Sequence, residues 1–408
     1  MSPHFSHRRT PMVKMISTID GSGFPLGFRV SAGQGRPLDM SDAAKRCVVK
    51  VEARALNGHQ KEAIVEEGAG GASWRMVSDE GPYLKGTDLA PFPLGFFNVG
   101  LQADLLNRLQ IGAEAAQVKL DFVELEIDNL YSFSGSFFKG TGQGVAGPAV
   151  VRLRIRSSAP AGRIATLVRQ AVHASPAMAA MRTPLQNTFA LYVNGARRTV
   201  GDGHASAAAD VLDPFKAHKA PPRPRPEPAD LADLITKLPV AIGASEVMPE
   251  SGAKFELKVL GSSRFVGGAS ITESQTTLER PVGSHFAFRS DEFGAGTAPS
   301  GLAYQAAGVS FCYMTQLLRY AEYLKYKVSE IRIVQFNPYS LAGDLGEGTL
   351  EGVAEPVDTH LFLDGEEPDD VLQKLLIMGA RTCYLHAALG AALQPEVVLE
   401  LNGAVIAT

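Results

Sequence analysis

Residues 296–333, GTAPSGLAYQAAGVSFCYMTQLLRYAEYLKYKVSEIRI, decide how the rest of the chain is read. A Gly/Pro turn opens the stretch, and nearly every position between Leu302 and Leu318 is apolar, which predicts a helix buried on all faces. Cys312 stands in its middle. A thiol there is either a small packing residue or a placed nucleophile, and only partners elsewhere in the chain decide between them.

Working outward, the stretch has a counterpart earlier in the chain. Subtracting 208 carries Leu302 to Leu94, Gly308 to Gly100, Asn402-Gly403 to Asn194-Gly195, and Lys258-Val259 to Lys50-Val51. The order of elements recurs too: alternating strand signals such as Cys47-Val-Val-Lys-Val, a turn, a buried helix (Leu94–Ala113), strands at Val123 and Val150–Ile155, a helix from Ala161, a short helix, and a last strand at Phe189–Val193. One offset recurring across a domain, with small insertions between, reads as internal duplication, and two copies of one fold in one chain pack most simply as a pseudo-dimer. Residues 1–40, rich in Gly, Ser, His and Pro, read as an N-terminal extension, with Met12 and Met15 as alternative starts. Residues 41–205 form the first copy, 206–240 a linker containing APPRPRPEP, and 241–408 the second copy. The prolines of the linker favour an extended polyproline conformation. The expected class is α+β: antiparallel sheets around buried central helices.

Bulk numbers exclude several functions. With 408 residues, 45% apolar and 20% charged, and a net charge of −4, the chain lacks the basic excess that nucleic acid or an anionic membrane demands. No apolar run is long enough to span a bilayer, and the basic N-terminus is not followed by a signal-type apolar segment, so a cytoplasmic location is expected. Three cysteines, Cys47, Cys312 and Cys383, are too few for a disulfide scaffold.

The duplication supplies an internal control. Cys312 maps to Asp104 and Cys383 to Ser175, so both thiols lie in the second copy, an asymmetry that suggests one active half and one scaffold half. Glu366-Glu367-Pro368-Asp369-Asp370 opens a helix that Gly379 is expected to end; Thr382 then caps a short helix with Cys383 in its first turn, where free amides lower a thiol pKa. Tyr313 adds a polar group beside one thiol, and His386, one turn past Cys383, is a candidate base or a packed core histidine.

On these residues the second copy resembles the OsmC/Ohr family of thiol-dependent hydroperoxide reductases. Gly296-Thr297-Ala-Pro299 followed by Ala306-Ala-Gly-Val-Ser-Phe-Cys312 is similar to that family's first-cysteine helix, and Thr382-Cys383 before a terminal strand to its second cysteine. The first copy resembles it more faintly, without the cysteines. The resemblance implies two OsmC-like domains packed as an intramolecular pseudo-dimer, and a peroxidase of the kind that serves stress responses. It further implies that Cys312 attacks, that Cys383 resolves the sulfenic acid as a disulfide, and that an external dithiol reduces it. It assigns Arg289, upstream of the Gly-Thr turn, the task of holding Cys312 as thiolate. The family's acidic pair after the proline is replaced by Ser300-Gly301, for which Asp291, Glu292, Asp79 or Glu80 could substitute. Asp104 occupies the vacated thiol position. The expected partners are a small-molecule substrate, either an organic hydroperoxide or a small hydrophobic metabolite, and the dithiol; assembly into a further homo-oligomer is left open. No cofactor or metal is expected, since Cys383 and His386 make one short pair and the glycine runs lack a phosphate-loop context. Two competing readings keep the fold: Cys312 as nucleophile of a non-redox hydrolase or lyase, with His386 and a tyrosine as acid and base, and a ligand-binding protein with inert thiols.

Overall fold

The computed structural model describes residues 18–33, 38, 46–137, 139–215, 219, 222–230, 232–240, 256–266, 271–292 and 296–408. The alternative starts, Met12 and Met15, lie outside the described residues. After a one-turn helix α1 (Ile19–Ser22), the first half runs β1 (Gly27–Ser31), β2 (Arg46–Ala55), β3 (Lys61–Glu67), β4 (Ser73–Ser78), α2 (Pro93–Ala115), β5 (Phe122–Ser134), β6 (Gln143–Ala146), β7 (Val150–Arg156), α3 (Ala161–Ala174), α4 (Pro176–Arg182), β8 (Thr188–Val193) and β9 (Ala196–Arg198). The second runs β10 (Ile235–Lys237), β11 (Glu256–Val266), β12 (Ile271–Arg280), β13 (Gly283–Asp291), α5 (Gly301–Leu324), β14 (Val328–Ala342), β15 (Glu351–Ala354), β16 (Asp358–Gly365), α6 (Asp369–Thr382), α7 (Tyr384–Gly390), β17 (Glu396–Leu401) and β18 (Ala404–Ile406).

The offset holds element by element. α5, β15, α6, α7, β17 and β18 each begin 208 residues after α2, β6, α3, α4, β8 and β9 (301 minus 93 for the first pair), and β10 begins 208 after β1. One sequence equivalence changes. Val51 opposes Gln335 while Gly261 opposes Ile127, and 335 minus 127 is 208 but 261 minus 51 is 210. The structural partner of Val49 is therefore Val259, and Lys258-Val259 does not overlie Lys50-Val51. The two-residue shift keeps the same side chains facing inward because the strand period is two.

The result is a mixed α+β fold built on two sheets, each of nine strands among the described residues. One sheet runs β1-β4-β3-β2-β14-β16-β8-β9 and the other β10-β13-β12-β11-β5-β7-β17-β18, with β15 and β6 added to β14 and β5. Each sheet is antiparallel except for one parallel pair, β16 with β8 and β17 with β7. In each sheet two strands of one half are inserted between strands of the other, so neither half closes a sheet alone. The stretch read as linker takes part: Arg225 donates to the Arg29 and Val30 carbonyls, Glu227 pairs with Arg29 at 2.9 Å, and β10 adds to β13 as β1 adds to β4.

Between the sheets lie α2, packed on β11 and β12, and α5, packed on β2 and β14; the two helices pack against each other. Their all-round apolar sequence follows from this position, since each is covered on every side. Glycines set how closely they cross. A Cβ on Gly100 would stand 2.7 Å from Gln305, and one on Gly308 2.8 Å from the Phe97 nitrogen. No helix among the described residues is long and apolar enough to cross a membrane.

Candidate active site

The antiparallel crossing of α2 and α5 decides which residues meet. Gly301, at the start of α5, touches Asp104 on α2, whereas Cys312 lies beside Pro93 and Leu94 at the start of α2. Each helix therefore faces the loop that precedes the other helix. Cys312 is served by residues 79–92 of the first half, and Asp104 by Asp291, Glu292 and residues 296–300 of the second.

At the first of these sites, Cys312 and Cys383 are both reduced, buried and in hydrogen-bond contact. Cys383 is the N-cap of α7; Thr382 instead closes α6, its hydroxyl donating to the Met378 carbonyl at 2.7 Å. The helix thus continues past Gly379, which packs its bare Cα against Leu317 and Tyr313. The Leu385 and His386 amides donate to the sulfurs of Cys312 and Cys383 respectively. Burial opposes ionisation of Cys383, but the Cys312 hydrogen bond and adjacent His386 outweigh it and bring its thiol down to about 5. Burial, then the hydrogen bond and charge of Cys383, pushes Cys312 well up. The pair holds one proton between two sulfurs and titrates as a unit.

Cys312 faces a cavity of about 20 Å³, the space of roughly one water. Leu84, Leu94 and Leu257 make it apolar, with Tyr83, Tyr384 and Arg319 at its sides. Below it runs a buried polar chain: Lys61 Nζ lies 2.8 Å from Thr315 Oγ1 and 3.5 Å from Glu80 Oε1, the Thr315 hydroxyl is 2.6 Å from the same oxygen, and Tyr83 donates to Glu80 Oε2 at 2.9 Å. Thr315 is three residues past Cys312, about one helical turn.

The structure does not bring Arg289 to the thiols. Its half-exposed side chain alternates with inward-facing Phe288 and Ser290, so it points to the sheet face away from the helices. Among the described residues, the charged side chains lining the cavity at Cys312 are Glu80 and Arg319, with Lys61 reaching Glu80 and Thr315 from β3; the sequence reading had only Glu80, as a substitute carboxylate. Lys61 offered a weak signal: a lysine opening β3, a strand that alternates against a buried face. Tyr313 is spent on structure, its hydroxyl donating to the Leu376 carbonyl at 3.1 Å. His386 does lie beside Cys383, its side chain within hydrogen-bond reach of that sulfur and its ring 5.1 Å from that of Tyr313 and 5.7 Å from that of Phe189.

Glu292 and Asp104 belong together at the other site. Asp104 Oδ2 accepts from Ser175 at 2.5 Å and from the Ala177 amide at 3.1 Å, and Oδ1 pairs with Arg108 at 2.9 Å. Asp104 and Ser175 thus repeat the Cys312–Cys383 contact in oxygen. Glu292 accepts from the Gly301 amide, and burial together with the Asp104 charge pushes it up to about 8. Burial likewise raises Glu67, which accepts from the Ser300 amide at 2.9 Å, to about 7.

No family model matches the sequence, and no curated protein matches it. Among solved structures, the chain is similar to an OsmC-like hydroperoxide resistance protein from Jannaschia sp. CCS1. The match has 25% identity and a TM-score of 0.26, and covers 36% of this chain and 95% of that one.

Chemically, the arrangement offers two sulfurs sharing a proton, an apolar opening beside one of them, and a buried ammonium and carboxylate one helical turn away. The cysteine facing the opening, Cys312, is 3% exposed, and Cys383 behind it is 0% exposed.

Proposed function

We propose that this protein is a thiol-dependent reductase of organic hydroperoxides, with Cys312 and Cys383 as its redox pair. The observation that carries the reading is the contact of two buried, unbridged sulfurs, one of which faces an apolar opening. It agrees with the family resemblance of residues 296–314 and 382–383.

At rest the negative charge favours Cys383, and movement of the proton along the S–H···S contact transfers it to Cys312, the sulfur a substrate can reach. The Cys312 thiolate attacks the distal peroxide oxygen; the O–O bond breaks and the alkoxide leaves, taking a proton from solvent or from the Lys61–Thr315 chain. Cys312 is left as a sulfenic acid. The Cys383 sulfur then displaces hydroxide, which leaves as water, and the Cys312–Cys383 disulfide forms. An external dithiol reduces it by exchange and is itself oxidised to a disulfide. The apolar walls suit an alkyl or aryl tail, which enters by displacing Leu84 and Arg319 from the mouth.

Single Cys312→Ser and Cys383→Ser variants test the reading against cumene hydroperoxide with dithiothreitol as reductant. The Cys312 variant is expected to lose turnover, and the Cys383 variant to stall after one equivalent with a trappable sulfenic acid. Wild type treated with one equivalent of peroxide is expected to yield a Cys312–Cys383 disulfide by mass mapping. Full turnover in either variant would refute the proposal. A second reading rests on the contact of His386 with Cys383: a thiolate–imidazole pair that attacks a small carbonyl compound. A substrate adduct on either cysteine, formed without peroxide, would favour that reading over the redox one.

A further inference from the structure

The two halves differ at the ends of their central helices. In the second half, Tyr320 of α5 stacks on Phe137 at 3.7 Å between ring centroids, and Tyr323 meets the same ring edge-on at 5.7 Å. Subtracting 208 turns Tyr320 into Gly112 and Tyr323 into Ala115, and Phe137 is the counterpart of Leu345. Where three rings, Tyr320 and Tyr323 of α5 and Phe137 of the first half, fill the space at the end of α5, the end of α2 has a glycine and an alanine facing the second half's Leu345. The space these small residues vacate is a cavity of about 210 Å³ bounded by α2, α3 and the β14–β15 loop. A cavity of about 150 Å³ suffices for benzene, so this one holds a ring with a short substituent.

Its inner end is polar. Arg108 lines the cavity and is 1% exposed; its Nε and Nη2 both donate to Asp104, while Nη1 is buried without a hydrogen-bond partner. A buried guanidinium N–H left unpaired is costly, and an acceptor brought by a ligand would relieve it. Charge narrows the chemistry. Asp104 already neutralises Arg108, and Glu292 beside them holds its proton at neutral pH, so a ligand anion would enter without a countercharge.

From this geometry we propose that the first half carries a binding site for a small, uncharged, ring-sized molecule whose carbonyl oxygen accepts from Arg108 Nη1 while its apolar body fills the space over Gly112 and Ala115. The site is separate from the thiol pair and does not depend on the redox reading.

The test uses the full chain with benzamide, toluene and benzoate as probes, followed by titration of alanine-methyl NMR signals. Benzamide is expected to shift Ala115 and Ala171, toluene to bind about tenfold more weakly for want of the acceptor, and benzoate to bind more weakly than benzamide. Gly112→Tyr, which installs the second half's residue where an added Cβ would meet only the Leu167 side chain at 3.1 Å, is expected to abolish the shifts at an unchanged melting temperature. Cys312→Ser is expected to leave them intact. Equal binding of toluene and benzamide, tighter binding of benzoate, or absence of benzamide shifts at Ala115 and Ala171 in the wild-type chain would each overturn the proposal. The wild-type titration decides the matter even where Gly112→Tyr fails to fold.

Discussion

Replacing Lys61 by methionine tests whether the buried polar chain beneath Cys312 is organised by charge. The Lys61 side chain is 0% exposed and that of Glu80 3%, with 3.5 Å between Nζ and Oε1. At an effective dielectric constant of about 20, unit charges at that distance attract by about 5 kcal/mol. Breaking a buried pair by removing one partner typically costs about 3–5 kcal/mol, because the other charge is left without compensation. Lys61→Met should therefore destabilise the chain by about 4 kcal/mol. With an unfolding entropy of about 2.1 cal/mol/K per residue, a chain of 408 residues responds with a fall in Tm of about 5 °C. Lys61→Met combined with Glu80→Gln should return most of the loss, since the glutamine carbonyl still accepts from Tyr83, its NH2 can donate to the Thr315 hydroxyl, which keeps its bond to the Phe311 carbonyl, and no buried charge is left. Scanning calorimetry of the two single variants and the double gives the coupling directly. Losses that simply add, or a Tm for Lys61→Met within 1 °C of wild type, would refute the argument that this pair is held by charge. Peroxide turnover in the double variant then reports what the Lys61–Glu80 pair adds to Cys312 chemistry beyond stability, with a loss of at least about tenfold expected.

Three further outcomes follow from the same geometry. Gly308→Ala places a methyl 2.8 Å from the Phe97 backbone nitrogen and should cost about 3 kcal/mol by forcing α2 and α5 apart, read by urea unfolding. Alkylation of the thiol pair by iodoacetamide should rise with pH through an inflection near 5, far below that of an ordinary thiol; because the folded pKa of Cys383 is depressed, the stability it contributes should be fully present above the unfolded thiol pKa and be lost as pH falls toward 5. Glu292 has the opposite sign, its folded pKa being raised to about 8, so the stability it contributes is full below pH 4.5 and is lost as pH rises through 8. Glu292→Gln should consequently raise Tm relative to wild type at pH 8.5 and change it little at pH 5; an equal effect at both pH values would show that Glu292 is ionised throughout.

Much of the architecture was legible in the chain itself. The constant offset of 208, the two buried helices with Gly100 and Gly308 at equivalent places, and the confinement of Cys312 and Cys383 to one copy are properties of residue order and apolar period, which local sequence records. Proximity of the two thiols was suggested by family likeness and is realised by α6 and α7 folding back onto α5. The partners of the thiols were a different matter. The family resemblance placed Arg289 at Cys312, and Glu292 was one candidate carboxylate there beside Asp291 and the first half's Asp79 and Glu80. Antiparallel packing of α2 on α5 changes that assignment: a helix start meets the far part of its neighbour, so the loop before α5 reaches Asp104, and the loop before α2, with Glu80, reaches Cys312, joined there by Lys61 from β3. Lys61 and Cys312 are 251 positions apart (312 minus 61), and no spacing rule joins them. The sequence by itself determined a recurring offset of 208, two buried central helices and one pair of thiols; the tertiary structure alone decided which half's charges surround that pair, because exchange of strands between the sheets sets contacts that depend on packing and not on order along the chain.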